Sequence, residues 1–254
     1  MPKTRLDQVV VALGLAASRE RARALILAGD VAVDGRPATK AGALIDPGAI
    51  VTLRVPDHPW VGRGGIKLAH AIKVFGLDVA GRSALDIGAS TGGFTDVLLQ
   101  RGARQVVALD VGHGQLDWRL RNDPRVIAIE RVNARRLRPA DLPERARAFD
   151  LVTVDVSFIS LRHILPPLPA LLADDGRVVL LIKPQFEAGR DEVGKGGIVR
   201  DPAVHERVID EVGRAAAAVG LERVSLEPSP IEGAEGNREF LMLLRRIHHE
   251  GIGL

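Results

Sequence analysis

The sequence predicts an α/β protein: a doubly wound, Rossmann-like sheet preceded by a small α+β unit. Three observations carry that prediction. Short apolar runs alternate with helical periodicities from about residue 64 to 246. The first run, Ser83-Ala-Leu-Asp-Ile87, breaks into Gly88 and the pair Gly92-Gly93 before a helical pattern with Val97, Leu98 and Leu99. That is strand, tight turn and helix start, the place where such sheets bind nucleotides. The first 57 residues follow another pattern, two short helices and an Asp-Gly hairpin signal.

Composition bounds the possibilities. A chain of 254 residues accommodates one large domain and a small one, and 46% hydrophobic content supports a packed core. No stretch approaches the roughly 20 apolar residues of a membrane span, and no apolar signal-peptide core precedes the charged residues 19–23. Cysteine is absent, which excludes disulfides and thiolate metal sites. A cytoplasmic protein without a metal is therefore expected. The net charge is only +3 although the pI is about 9.7, so affinity for nucleic acid has to reside in local patches. Lysine occurs only at 3, 40, 67, 73, 183 and 195, which singles out each one.

In the first unit, Leu6, Val9, Val10 and Leu13 carry helical spacing up to Gly14. Ser18 is placed to cap a second helix over residues 19–28. Its apolar face is Ala22, Leu25 and Ile26, while Arg19 and Arg23 stack one turn apart on another face. Val31-Ala-Val-Asp-Gly-Arg36 reads as a strand entering a hairpin turn, and residues 50–55 as a closing strand. Ser18-Arg19-Glu20-Arg21-Ala22, Leu25-Ile26, Gly29-Asp-Val-Ala-Val-Asp-Gly35, and Lys40 followed by Gly48 resemble the S4 RNA-binding module. That resemblance implies that the helix bearing Arg19 and Arg23 faces structured RNA, which suits a side chain able to fork onto phosphate and stack on bases. Arg5, Arg19, Arg21, Arg23, Lys40, Arg63 and Lys195 are the candidate RNA contacts. A solvated basic face is the alternative for the arginines alone.

Pro56-Asp-His-Pro59 marks a connector. The expected organisation is a small unit over 1–57, a linker over 58–63 and a large domain over 64–247. Trp60 is read as packing the connector. Residues 64–75 form a helix ended by Gly76, and strands follow at 84–88, 105–109, 126–129, 151–154, 177–182, 221–226 and 239–244. Helices are expected at 94–100, 161–173 and 202–219. Seven strands with a closing C-terminal pair fit a class I S-adenosylmethionine-dependent methyltransferase sheet better than a symmetric six-stranded dinucleotide fold.

The glycine loop points the same way. A dinucleotide fingerprint needs a middle glycine for the pyrophosphate to approach, and residue 90 is serine. Asp86, Gly88, Ala89, Ser90, Thr91, Gly92, Gly93 and Phe94 are read as a cradle for a nucleoside without phosphates, S-adenosylmethionine first among candidates. An ordinary strand–turn–helix is the alternative. Asp110 ends the second strand at about the customary 20 residues further on, where a carboxylate accepts ribose hydroxyls. Asn133, after the third strand, is the candidate adenine contact.

The acceptor is narrowed by two absences. Asp155-Val-Ser-Phe158 stands where enzymes methylating base amino groups usually carry Asn/Asp-Pro-Pro-aromatic. Pyrimidine C5 methylation commonly needs a cysteine nucleophile, and none exists. A hydroxyl fits better, and ammonium groups placed where oxyanion character develops would assist it. Lys183 after the fifth strand, Lys67, Asp155 and Glu239 could neutralise one another in such a site; a structural salt-bridge cluster is the alternative. The adjacent His248-His249 lacks a carboxylate partner and is rejected as a metal site. The glycine-rich residues 187–200, with Lys195, are a loop beside the strand end.

Gly64-Gly-Ile-Lys67, Asp86-Ile-Gly-Ala-Ser-Thr-Gly-Gly-Phe94, Asp155-Val-Ser-Phe158, Lys183-Pro-Gln-Phe-Glu187 and Gly236-Asn-Arg-Glu-Phe240 together resemble the hemolysin-A-like (TlyA-type) family, an S4 module joined to an FtsJ-like methyltransferase domain. The resemblance runs from about residue 4 to 245. It implies methylation of cytidine 2′-hydroxyls in ribosomal RNA of ribosomal subunits, with a catalytic tetrad at Lys67, Asp155, Lys183 and Glu239. By the same resemblance Lys183 activates the hydroxyl, Asp155 orients it or takes its proton, and Lys67 and Glu239 hold the ribose. A non-catalytic ribosome-assembly factor and a membrane-lytic hemolysin are the competing functions.

Overall fold

The computed structural model describes residues 3–27, 29–54, 58–233 and 236–247, with only the backbone of Arg145. The expected helix end at Ala28, strand end at Val55, the start of the connector motif at Pro56 and Asp57, and the His248-His249 pair lie outside them. The chain divides into two compact units between Gly62 and Arg63.

In the first unit β1 (Thr4–Arg5) leads into α1 (Leu6–Ala12) and α2 (Arg19–Leu27), followed by β2 (Val31–Val33), β3 (Arg36–Ala38), β4 (Leu44–Ile45) and β5 (Val51–Leu53). Gly14 follows α1 at φ 70°, and the Arg21 N–H donates to Ser18 Oγ at 3.1 Å, capping α2. Asp34 and Gly35 both have positive φ, which gives the two-residue hairpin turn whose twist matches its strands. β3-β2-β5 form one small sheet and β1 pairs with β4. Leu6, Val10, Ala22, Leu25, Ile26 and Val31 make a dry core.

The second unit opens with α3 (Gly64–Val74), then β6 (Ser83–Ile87), α4 (Gly93–Gln100), β7 (Gln105–Asp110), α5 (Trp118–Arg121), β8 (Val126–Glu130) and β9 (Phe149–Val154). After α6 (Leu168–Leu171) come β10 (Leu172–Ile182), α7 (Pro184–Glu187), α8 (Pro202–Ala218), β11 (Leu221–Pro228) and β12 (Phe240–Arg246). Its seven strands run β11-β12-β10-β9-β6-β7-β8, with β12 antiparallel to both neighbours and the remaining pairings parallel. The expected sheet is present. β6 is buried throughout and β7 along its centre, the mark of a sheet covered on both faces. Leu85, Ile87, Val152, Val178 and Leu180 share one core with Val208, Ile209 and Val212 of α8.

One expected helix is absent. Residues 161–173 give a single 3-10 turn at Leu161–His163 and the four-residue α6, and the chain is already extended at Leu172. Pro166, Pro167 and Pro169 lack the N–H a continuous helix needs and crowd the preceding carbonyls. The apolar periodicity there is real, but it belongs to buried turns: Leu161, Ile164, Leu165 and Leu168 all face the core.

Candidate active site

The strand order reverses between β6 and β9, and ligands of open α/β sheets bind outside the strand C-termini at such a point. Here the two strand ends touch. The Asp155 N–H donates to the Ile87 carbonyl at 2.9 Å, and a Cβ on Gly88 would stand 2.3 Å from the Asp155 carbonyl oxygen. Gly88 also has φ 85°, so glycine is required twice over.

Asp86 stands behind the loop and shows no surface. Thr95 Oγ1 donates to its Oδ2 at 2.7 Å and Thr153 Oγ1 to its Oδ1 at 3.0 Å. Burial pushes its carboxyl up to about 7 against those two hydroxyls. It ties β6 to α4 and β9, so it reaches a ligand only through the loop it shapes. Gly92 caps α4 at φ 99° and Ser90 has φ 49°. Gly93 and Phe94 are buried in α4, and Thr91 is exposed with its carbonyl accepting from the Asp117 N–H.

A slot opens between this loop and the ends of β7 and β8. It is shallow and partly open, and is lined by Ala89, Ser90, Ala108, Asp110, Gly112, Gln115, Leu116, Ala128 and Glu130. Ala108 and Ala128 are register partners on adjacent strands, and their small side chains create the space. Asp110 Oδ2 accepts from the Ser90 N–H at 2.8 Å and its Oδ1 from the Gly112 N–H at 2.6 Å. Each oxygen retains a second acceptor site. Among the described residues no lysine or arginine lines the slot. Small apolar walls with carboxylates and no cation fit an uncharged nucleoside and not a pyrophosphate.

Sequence reasoning missed Gly112, Gln115, Leu116 and Glu130. Glu130 at the end of β8 accepts from the Gly114 N–H at 2.9 Å, contacts His113 Nδ1 at 2.7 Å and accepts from Arg121. An acid ending the third strand, as Asp110 ends the second, was the available signal. Asn133 does not line the slot. It is exposed, and its Oδ1 accepts from the Arg135 N–H at 3.0 Å, capping a 3-10 turn.

The four candidate charges gather at the same end of the sheet as two ion pairs. Lys183 follows β10 and Glu239 precedes β12, and the antiparallel register Ile182↔Phe240 sets them opposite one another. Lys67 Nζ donates to Glu239 Oε2 at 2.5 Å, with side chains 7% and 2% exposed. Lys183 Nζ lies 2.6 Å from Asp155 Oδ1, a close ion pair and not an aligned hydrogen bond, and donates to Ser157 Oγ at 2.9 Å. The first turn of α3 adjoins Asp155: a Cβ on Gly64 would stand 3.8 Å from Asp155 Oδ2. Gly233, also missed, admits Glu239, since a Cβ there would sit 2.6 Å from Oε1.

The candidate RNA residues fall into three groups. Arg5 grips the buried Asp7 with Nε and Nη2, both at 3.0 Å, and Arg19 Nε donates to the same carboxylate at 2.9 Å. The Arg5 fork holds Asp7 down at about 2. Arg23, Lys40 and Lys195 are exposed. Arg21 donates to the His58 carbonyl and Arg63 to that of Glu232. Trp60 stacks on His58 with ring centroids 5.8 Å apart.

The FtsJ-like methyltransferase family model matches residues 60–246, and the S4 domain model matches residues 4–51. The chain is 48% identical over 244 residues to the 16S/23S rRNA (cytidine-2'-O)-methyltransferase TlyA of Mycobacterium tuberculosis, covering 96% of this chain and 90% of that one. The chain belongs to the TlyA-type family of FtsJ-like methyltransferases. Another relative is Hemolysin A of Brachyspira hyodysenteriae, 43% identical over 93% of this chain and 98% of that one. A solved structure from Streptococcus thermophilus, provisionally designated a hemolysin, superposes with a TM-score of 0.76 at 45% identity, covering 97% of this chain and 90% of that one. This FtsJ-like, TlyA-type membership makes the protein an enzyme, a methyltransferase with an S4 module.

Proposed function

We propose that this protein transfers the methyl group of S-adenosylmethionine to the ribose 2′-hydroxyl of cytidine in 16S and/or 23S ribosomal RNA, within cytoplasmic ribosomal subunits. Residues 64–247 perform the transfer and residues 1–57 bind RNA. The similarity to the mycobacterial 16S/23S rRNA (cytidine-2'-O)-methyltransferase supports this reading. The observation that carries it is the Lys183–Asp155 pair at the strand ends, with Lys67–Glu239 across the register.

S-adenosylmethionine, when bound, supplies an electrophilic methyl carbon on a sulfonium. Residues 88–90, Asp110 and the alanine-walled slot would hold it. The Lys183 ammonium has three N–H groups; one donates to Ser157 while Asp155 lies in close ion contact, leaving an N–H for the acceptor oxygen. That donor stabilises charge developing on the 2′-oxygen while Asp155 takes the hydroxyl proton. The oxygen–methyl bond forms as the sulfur–methyl bond breaks, an in-line displacement governed by positioning. Lys67 and Glu239 hold the ribose beside it. Arg5, Arg19, Arg23, Lys40, Arg63 and Lys195 supply phosphate contacts.

No helix among the described residues is long and apolar enough to cross a membrane. The test is methyl transfer from labelled cofactor to purified 30S and 50S subunits. Lys183→Ala should lose at least about 10²–10³-fold in rate while calorimetric binding of S-adenosylmethionine persists. Retained transfer in that variant overturns the assignment, and binding without transfer by the wild type would mark an assembly factor instead.

A further inference from the structure

Lys183 is held by a turn that another residue fixes. Residues 157–161 leave β9, and the 3-10 turn Leu161–His163 follows. This stretch carries strain: Phe158 has φ 63° and is 90% exposed, a conformation that side chains avoid unless their surroundings impose it. Two contacts hold it, one from Lys183, which caps α7, and one from Glu187, which ends it. At its start, Lys183 Nζ donates to Ser157 Oγ. At its end, the buried Glu187 accepts from Ser160 Oγ and from the Leu161 N–H, each at 2.6 Å. Between them Phe186 packs on Phe158, ring centroids 5.0 Å apart.

Lys183 and Glu187 therefore bracket one helical turn and grip the two ends of one strained loop. The Lys183 ammonium needs its ion-pair partner Asp155 and its acceptor Ser157 both fixed if a free N–H is to aim at the acceptor hydroxyl. Asp155 directly follows β9 and its N–H is held by the Ile87 carbonyl of β6. Ser157 is exposed and off the sheet, so its position depends on the far end of its turn. We propose that Glu187 is a positioning residue for the transfer: it anchors the 157–161 turn so that Ser157 orients the Lys183 ammonium. Arg162 accompanies it, with Nη2 3.4 Å from the Glu187 carbonyl and Nε 3.9 Å from its carboxylate. This rests on the role given to Lys183 above.

The experiment is a double-mutant cycle in the subunit methylation assay, using the full chain. Ser157→Ala and Glu187→Ala should each lower kcat by about 10- to 100-fold, the range expected when a reacting group is misplaced by about 1 Å. The KM for S-adenosylmethionine should stay within about twofold in both, since neither residue lines the slot. If Glu187 acts through Ser157, the double variant is no slower than Ser157→Ala alone. Glu187→Gln should recover only part of the rate, because its amide oxygen can accept from the Leu161 N–H while its NH2 meets a Ser160 Oγ that already accepts from the Arg162 N–H and Nε. Multiplied effects in the double variant, or a wild-type kcat in Glu187→Ala, overturn the proposal. Lys183→Ala in the same series separates the two failures. If it is inactive while Glu187→Ala is not, only the positioning role falls; if it is active, the role of Lys183 falls first.

Discussion

Around Asp7 the carboxylate is sealed and the cations stay wet: Asp7 is fully buried, while Arg5 and Arg19 keep 41% and 54% of their side-chain surface. At the end of the large sheet the cations themselves are enclosed, Lys67 keeping 7% and Lys183 10%. An arginine whose inner edge is fixed by a buried acid presents its outer edge, preorganised, to whatever phosphate arrives. A buried ammonium does little for long-range attraction, but the low dielectric around it strengthens its action on one adjacent atom. The first arrangement suits recognition and the second suits chemistry. Each carries its own vulnerability.

The largest expected effect attacks the sealed pair. Glu239→Ala leaves the Lys67 ammonium buried without its acid, and breaking such a pair costs about 3–5 kcal/mol. Urea titration of the folded protein reads that loss. Replacing both charges, Lys67→Met with Glu239→Leu, should restore most of the stability without restoring methyl transfer. A cost below about 1 kcal/mol for Glu239→Ala would mean that the pair is as weak as a surface one.

Two buried aspartates sharpen the same comparison. Asp7 has guanidinium partners and is held at about 2; Asp86 has neutral donors, the hydroxyls of Thr95 and Thr153 and the Thr95 backbone, and burial drives it up to about 7. The signs are opposite. Asp7 contributes stability above its unfolded pKa, and that contribution is lost as pH falls toward 2. Asp86 binds a proton more tightly folded than unfolded, so its contribution is present below about pH 4 and lost as pH rises toward 7. Over that window it should lower stability by at most about 1.4 kcal/mol per pH unit. Asp86→Asn removes this slope, and the difference between wild-type and variant urea midpoints across pH 4–8 isolates it. A flat difference would show that the two threonines suffice to keep Asp86 ionised.

The legibility of the molecule followed the range of its causes. Buried strands announce themselves as local apolar runs, and all seven were readable, as were the Asp34-Gly35 hairpin and the Ser18 cap. Residues 161–173 misled because apolar spacing was weighed above Pro166, Pro167 and Pro169, whose backbone constraints win. The four candidate charges stood out by residue type and by family resemblance, yet strand register sets Lys183 beside Asp155 and opposite Glu239, and the helix α3 brings Lys67 to Glu239. Ser157 and Glu187 stand inside the motifs Asp155–Phe158 and Lys183–Glu187, but their roles are not legible there. Their significance lies in partners 26 or 27 residues away that the fold brings near, Lys183 for Ser157 and the 160–161 turn for Glu187.

The smallest effect tests the wet side. Arg19 keeps its Nε on Asp7, so its remaining N–H groups are the ones offered outward. If they meet phosphate, Arg19→Ala should weaken binding to ribosomal RNA about equally across sequences, and the slope of log K against log salt should shrink by about one. Folding should be little changed, because Arg5 alone still satisfies both Asp7 oxygens. Asp7→Asn should act differently. It keeps both arginines but loosens their geometry, so affinity falls with the salt slope unchanged, since the number of phosphates neutralised is the same. Filter binding from about 50 to 200 mM salt distinguishes them. Equal slopes in wild type and Arg19→Ala would place the RNA on another face of the unit, leaving the buried Asp7 a purely structural anchor for α1 and α2.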